Sequence, residues 1–204
     1  YFDFNEEKIL YIARQASELG IEMLVLDDGW FGSRDSDNAG LGDWFVNTDK
    51  LKGGLTDLVT GINGLGMKFG IWIEPEMVNE DSRLYREHPD WALTIPGRKP
   101  CRSRNQLVLD MSRSEVRDYV FDSIAAVLKS ANVEYVKWDM NRSICDVYSA
   151  VLPKERQGEV YHRYVLGIYD LMERFTSSFP NILFEGCSGG GGRFDPAILY
   201  YSPQ

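Results

Sequence analysis

The chain has 204 residues, a hydrophobic fraction of 44% and a net charge of −9 at pH 7. This length is sufficient for one domain with a substantial core. The acidic balance argues against nucleic acids and anionic membranes as partners, and the sequence lacks the apolar run of about 18 residues that a membrane-spanning helix requires.

The cellular compartment is indicated by the first residues and by the cysteines. Residues 1–4 lack the basic start of a secretory signal peptide. Cys101, Cys145 and Cys187 are an odd number at wide, irregular spacing, which is typical of neither a disulfide framework nor a zinc site. We therefore expect a reducing compartment, the bacterial cytoplasm, and neither metal nor cofactor.

Helices and strands are predicted to alternate along the sequence. Residues 5–19 have the apolar period of a helix, which Gly20 is suited to end. Further helices are expected at 55–65, from a cap at Ser114 to 130, and at 154–178, with strands at 21–26, 67–73, 106–109, 134–138 and 182–184.

Apolar strands separated by helices predict a parallel sheet covered by helices. Polar residues follow the strands at Asp27, Glu74, Asp110, Asp139 and Glu185, where a TIM-type (β/α)8 barrel builds its active site. A doubly wound sheet is the alternative, but the glycine fingerprints of nucleotide-binding folds are missing from the sequence.

The number of predicted strands is too small for a closed barrel, which needs eight. Five are predicted, and residues 200–204 resemble the start of a sixth. We therefore interpret residues 1–204 as the N-terminal part of a (β/α)8 domain, truncated at its C-terminal end. It would supply roughly the first five to six βα units.

The segment at 135–142 carries the strongest chemical signal. Strand alternation places Lys137, Asp139 and Asn141 on one face, and Trp138 and Met140 on the other. A carboxylate between an ammonium and an amide is expected to stay ionised, and it could attack an electrophilic carbon. A purely structural salt bridge at the strand end is equally compatible with this segment alone.

The other candidates each have a structural alternative. Asp27 and Asp28 could accept hydrogen bonds from vicinal hydroxyls, cap a helix or bind a metal. Trp30 and Trp72 could stack on a sugar or belong to the core. Glu74 and Glu76 could be an acid/base pair or loop anchors. Arg104 could clamp a ligand or form a surface ion pair. Asp195 could act in function or be only a helix N-cap.

Five blocks resemble those of glycoside hydrolase family 36 α-galactosidases, in order and at suitable spacing along the whole chain. They are LDDGWFG at 26–32, GLGDW at 40–44, WIEPEMV at 72–78, KWDMNR at 137–142 and EGCSGGGGR at 185–193. The resemblance implies a catalytic barrel that cleaves terminal α-galactosides of the melibiose and raffinose type with retention of configuration. Separately, we expect the parent protein to be a homo-oligomer.

The resemblance also implies roles for individual residues. Asp139 matches the family's nucleophile, Asp27 and Asp28 match carboxylates that bind the galactose 4- and 6-hydroxyls, and Trp72 matches a pocket wall. Further sugar-contacting positions are matched by Arg104, Lys137, Asn141, Cys187 and Gly189. The acid/base aspartate is expected beyond Gln204, so we expect the isolated chain to be inactive; Glu185 is a substitute by strand position alone.

Other functions remain open at this stage. The same site could transfer galactose to another sugar or accept N-acetylgalactosamine. A lyase or isomerase would instead use Lys137 as a base or Schiff-base amine, with Mg²⁺ bound by Asp27, Glu74 and Asp110. A non-catalytic sugar-binding barrel is a further alternative.

Overall fold

The structure is a computed structural model that describes residues 2–204. Its helices are α1 (Glu6–Glu18), α2 (Gly54–Asn63), α3 (Arg83–Glu87), α4 (Ser114–Lys129), α5 (Val160–Ser178) and α6 (Pro196–Tyr201), with 3₁₀ segments at Pro89–Trp91 and Lys154–Glu159. Its strands are β1 (Met23–Leu26), β2 (Lys68–Ile73), β3 (Met77–Val78), β4 (Leu107–Val108), β5 (Tyr135–Trp138) and β6 (Leu183–Gly186).

Four strands form a parallel sheet in the order β1-β2-β5-β6 within the described part of the chain. Their carboxyl ends lie together, since Ile73 at the end of β2 pairs with Trp138 at the end of β5. Beyond β6, the Gly186 amide donates to the Gln204 carbonyl at 2.9 Å. The parallel α/β arrangement predicted from the sequence is confirmed.

One strand was predicted at the right position but with the wrong pairing. The segment predicted at 106–109 contains β4, but β4 pairs antiparallel with β3, with Met77 opposite Val108. It lies outside the parallel sheet because the chain leaves the sheet after Glu74 and Pro75 and returns only at β5. The described residues therefore contribute four parallel strands, one fewer than the sequence predicted.

Two helix starts differ from the prediction, and one cap is as expected. Arg113, not Ser114, is the N-cap residue of α4, and its side chain makes no capping bond. The helix predicted from residue 154 begins as a 3₁₀ segment, and Gly158, a poor helix former, lies just before the α-helical part. Asp195 caps α6 by accepting from the amides of Ala197 and Ile198.

The core lies between the sheet and its covering helices. A close approach of backbones occurs where α5 meets the segment after β4, since a Cβ at Gly167 would lie 1.9 Å from the Met111 carbonyl oxygen. His88 stacks on Trp91 with ring centroids 4.0 Å apart, and His162 is exposed. None of the helices within residues 2–204 combines the length and apolarity needed to cross a membrane.

Candidate active site

A cavity of about 410 Å³ opens at the carboxyl ends of β1, β2 and β5. It is lined by Phe2, Asp27, Asp28, Asp37, Trp72, Glu74, Arg104, Lys137, Asp139 and Asn141. Seven of the nine site residues predicted from the sequence therefore face one cavity. The exceptions are Cys187 and Gly189.

Asp139 lines this cavity and is 5% exposed. Its amide donates to the Ile73 carbonyl at 2.8 Å, which holds the residue beside the end of β2. Its carboxylate accepts from Trp72 Nε1 at 3.1 Å and from the Met140 amide at 2.9 Å.

The Asp139 carboxylate is held in its ionised form. Burial alone would raise its pKa, but hydrogen bonds from Trp72, Asn141, Cys187 and the Met140 amide outweigh burial, so the pKa lies below the ordinary value. A buried, ionised carboxylate facing a cavity has the properties of a nucleophile for covalent catalysis.

Lys137 and Asp27 form an ion pair on the cavity wall, with Nζ and Oδ2 3.5 Å apart. Burial disfavours the charged ammonium, but the neighbouring carboxylates, Asp27 first and then Asp139, outweigh it and raise the pKa of Lys137. The lysine therefore stays protonated beside Asp139. This argues against its use as a neutral amine in Schiff-base chemistry.

The predicted alternation along 135–142 is confirmed. Lys137, Asp139 and Asn141 all line the cavity, whereas Trp138 is directed to the other side, where its Nε1 donates to Glu76 Oε1 at 2.9 Å.

Asp28 is held by a buried arginine from the loop after β1. Arg34 Nε and Nη2 donate to the two Asp28 carboxylate oxygens at 2.9 and 2.8 Å. Arg34 is 1% exposed and also bonds the Ala39 carbonyl and the Asn79 side chain. Asp28 is thus fixed in orientation at the cavity, with acceptor lone pairs still available to a ligand.

The two tryptophans considered for sugar stacking have different positions. Trp72 lines the cavity. Trp30 is fully buried in the core and supports Trp72, because its Nε1 donates to the Trp72 carbonyl at 2.9 Å. Trp30 therefore belongs to the core alone, whereas Trp72 is a core residue, 3% exposed, that also lines the cavity.

Glu74 and Glu76 do not form an acid/base pair, because they are directed to different surroundings. Glu76 is fully buried and accepts from Trp138, Tyr164 and Arg193, which makes it a structural anchor.

Glu74 instead lines the cavity, where its oxygens accept from the Asn141 amide at 2.6 Å and from Gln106 Nε2 at 2.9 Å. Burial raises the pKa of Glu74 to about 7, and the nearby negative charge of Asp139 contributes.

Arg104 reaches the cavity from an exposed turn in the segment before β4. Arg104 and Asn105 have positive φ angles of 53° and 60°, and the Gln106 amide donates to the Ser103 carbonyl at 3.1 Å. This turn places a guanidinium at the rim of the cavity, as a ligand clamp requires.

Cys187 and Gly189 lie beside the cavity. Cys187 follows β6, its amide donates to the Trp138 carbonyl at 2.8 Å, and its thiol is hydrogen-bonded to Asp139. Gly189 lines a neighbouring cavity of about 560 Å³ that shares Asn141 with the first. The role predicted for Gly189 in sugar binding therefore depends on a ligand that extends past Asn141.

The remaining strand-end carboxylates are engaged elsewhere. Asp110 is buried and accepts from the Ser112 and Ser149 side chains, and Glu185 accepts from the Tyr135 hydroxyl at 2.5 Å. Neither lines the cavity. No three carboxylate, histidine or cysteine side chains within residues 2–204 are grouped so as to hold a metal ion. Of the three carboxylates in the Mg²⁺-dependent alternative, Asp27 and Glu74 line the cavity and Asp110 does not.

Sequence reasoning missed several contributors to the site. Phe2 and Asp37 line the cavity, and Arg34 orients Asp28. Phe2 and Asp37 come from irregular segments, where no periodicity assigns a direction to a side chain. Arg34 had one available signal, because a basic residue shortly after two acidic ones is a natural partner for either.

Fold and site together define a part of a parallel α/β fold whose strand ends gather carboxylates, an ammonium and an indole around one pocket. The chain belongs to the melibiase family, whose model matches residues 1–204. It is similar to alpha-galactosidase AgaA of Geobacillus stearothermophilus, with 61% identity over 204 residues, which are 100% of this chain and 28% of that protein. Alpha-galactosidase 1 of Pediococcus pentosaceus is 58% identical over the same share of each chain.

A solved structure shows that the fold is also that of this family. A variant of the GH36 α-galactosidase AgaA from G. stearothermophilus, in complex with raffinose, matches with a TM-score of 0.98 and 60% identity, over 100% of this chain and 28% of that one. This confirms the predicted family and barrel class. The chain spans less than a third of the length of these relatives.

Proposed function

We propose that this chain carries the nucleophile and most of the sugar-binding residues of a retaining α-galactosidase that removes terminal α-linked galactose from oligosaccharides. The observation that carries the proposal is the ionised, buried Asp139, which faces a pocket between Lys137 and Trp72. Similar proteins have been crystallised with raffinose and with stachyose, and both sugars fit this substrate class.

In the proposed reaction, Asp139 attacks the anomeric carbon of the galactosyl unit and forms a covalent intermediate, which water then hydrolyses. The carboxylates of Asp27 and Asp28 accept hydrogen bonds from sugar hydroxyls. The Lys137 ammonium favours ionised Asp139 and can donate to a hydroxyl, while the Trp72 indole forms a wall of the pocket.

Retaining chemistry needs a second carboxyl group about 5–5.5 Å from the first. Glu74 is near Asp139, but both its oxygens already accept hydrogen bonds from Asn141 and Gln106. Glu185 is directed to Tyr135. The resemblance to the family implies an acid/base aspartate after residue 204, so we place the acid/base carboxyl in a segment outside residues 1–204 and expect these residues alone to be inactive.

The test is Asp139→Asn in the longer protein that contains this chain, assayed with an activated aryl α-galactoside. Loss of an essential catalytic group should lower turnover by about 10²–10⁴-fold. Asp122→Asn, an isosteric change at an exposed position on α4, is the matched control. Turnover of Asp139→Asn within about tenfold of wild type would contradict the assignment.

A second experiment identifies the nucleophile by its product. In Asp139→Gly, azide can enter the space left by the carboxylate and attack the anomeric carbon from the same face. We expect β-galactosyl azide, detected by NMR. Formation of the α-azide, or no rescue, would contradict a nucleophilic role for Asp139.

A cytoplasmic location and a homo-oligomeric state remain proposals for the longer protein. The free thiols of Cys101, Cys145 and Cys187 are compatible with a reducing compartment. Cell fractionation tests the location, and light scattering coupled to size-exclusion chromatography tests the oligomeric state.

A further inference from the structure

Two exposed cysteines that are distant in sequence lie together beside the candidate site. Arg142 Nη1 donates to the Cys101 carbonyl at 2.8 Å, and the Cys101 amide donates to Asp146 Oδ2 at 2.6 Å. These bonds hold the Cys101 backbone against the segment 142–146, which contains Cys145. Both cysteines are exposed and unbridged.

The two thiols are neighbours at this junction. The adjacent Cys145 thiol raises the pKa of the Cys101 thiol, and Cys145 Sγ itself lies 3.7 Å from the Ser143 carbonyl, to which it donates. The third thiol, at Cys187, is instead hydrogen-bonded to Asp139. Cys101 and Cys145 therefore form a distinct surface pair, which we call the thiol pair.

We propose that the thiol pair is an oxidative modification site, at which Cys101 and Cys145 form a reversible disulfide on exposure to a peroxide. One thiolate attacks a peroxide oxygen, cleaves the O–O bond and becomes a sulfenic acid as hydroxide leaves. The second thiol then displaces the sulfenic hydroxyl as water and forms the S–S bond. The balance is two thiols and one hydrogen peroxide giving one disulfide and two waters.

The bond would link two segments that border the site. Cys101 is three residues before Arg104, whose turn reaches the cavity, and Cys145 is four residues after Asn141, which lines it. In the reduced protein the Arg142–Cys101 hydrogen bond already joins these segments. The disulfide would make that connection covalent and restrain the exposed turn that carries Arg104.

The test uses the longer protein, reduced and then treated with hydrogen peroxide under native conditions. Tryptic mapping should find residues 99–102 joined to residues 143–154, at the summed peptide mass less two hydrogens. Dithiothreitol should restore both free peptides. Recovery of Cys101 and Cys145 as sulfinic acids, without the joined peptide, would overturn the proposal.

Restraint of the turn has a separate readout. Limited trypsin cleavage after Arg102 and Arg104 should slow by about tenfold on oxidation, because cleavage follows the opening of the turn. Cys101→Ser and Cys145→Ser are the matched controls, and neither should show this slowing. A joined peptide with an unchanged cleavage rate would refute the restraint of the turn.

Neither readout uses galactosidase activity. The proposal for the thiol pair therefore stands or falls independently of the proposed function.

Discussion

The indole Nε1 of Trp72 donates a hydrogen bond of 3.1 Å to Oδ2 of Asp139. A residue that forms the wall of the pocket thereby also controls the ionisation of the proposed nucleophile. The two residues come from the ends of neighbouring strands, β2 and β5, so the contact depends on the register that pairs Trp72 with Lys137.

Replacement of the indole should shift the acid side of the activity profile. In Trp72→Phe the carboxylate loses a donor, so the pKa of Asp139 should rise and kcat/KM should fall at higher pH than in wild type. A hydrogen bond to a charged group contributes about 1.5–3 kcal/mol, so activity should fall by about 10–100-fold. The pH dependence of kcat/KM measures both effects. Trp91→Phe is the control, because Trp91 stacks on His88, and it should leave the acid limb of the pH profile in place. If the acid limb also stays in place in Trp72→Phe, Trp72 does not control the pKa of Asp139.

The Arg34–Asp28 pair should contribute to folding as well as to binding. Arg34→Met leaves the Asp28 carboxylate buried without its partner, and breaking such a pair costs about 3–5 kcal/mol of unfolding free energy. Arg86→Met is the control, because the Arg86–Asp81 bridge is exposed on both sides and such pairs contribute about 0–1 kcal/mol. Urea denaturation compares the two variants. Equal losses of unfolding free energy in the two variants would show that the buried Arg34–Asp28 pair contributes no more than an exposed pair.

The contact between α5 and Met111 should tolerate no side chain at Gly167. A Cβ there would lie 1.9 Å from a backbone oxygen, so Gly167→Ala must displace the helix, with an expected cost of about 1–3 kcal/mol. Gly158→Ala is the matched control, since a Cβ at Gly158 meets no atom within 4 Å. Thermal denaturation should separate the two variants by several degrees. Similar midpoints would contradict the close approach of the backbones.

Glu74 should make stability depend on pH. Its pKa is about 7 in the folded protein against an ordinary value of 4.5, so the folded state binds the proton more tightly than the unfolded state. The free energy of unfolding contributed by Glu74 is therefore highest below pH 4.5. It falls as pH rises and levels off above about 7.

Glu74→Gln should remove this dependence. The introduced amide can donate to Gln106 Oε1, a buried atom that otherwise has no hydrogen-bond partner. Relative to wild type, the variant should gain on the order of 2–3 kcal/mol between pH 5 and pH 8. Urea denaturation at the two pH values measures the change. A constant difference between the proteins would contradict the raised pKa.

The part of the site that lies on regular strands was predictable from sequence. The period of two along β5 assigned Lys137 and Trp138 to opposite faces, and the structure confirms this. Carboxylates that follow parallel strands come together because parallel pairing brings the carboxyl ends of those strands to one edge of the sheet. These predictions succeed because the geometry of an extended strand fixes side-chain direction locally.

The contacts made by irregular segments were not predictable. Arg34 reaches Asp28 because the loop after β1 turns back through Gly40, whose φ is +81° and where a Cβ would lie 2.8 Å from the Arg34 amide nitrogen. The antiparallel pairing of β4 was missed for a related reason, since a two-residue strand has no periodicity from which to infer its partner. The raised pKa of Glu74 depends on burial that only the tertiary structure reveals.

The antiparallel pair of β3 and β4 has a consequence for how this site can diversify. The chain leaves the parallel sheet after β2 and rejoins it at β5, and the excursion between them carries Arg104 to the pocket and Gln106 to its bond with Glu74. The exposed part of this excursion that carries Arg104 can therefore vary while Glu76 keeps its bond to Trp138 and the strands that hold Asp139 keep their register. Exchange of that exposed part between members of the family would alter one side of the pocket and leave the frame that holds Asp139 unchanged.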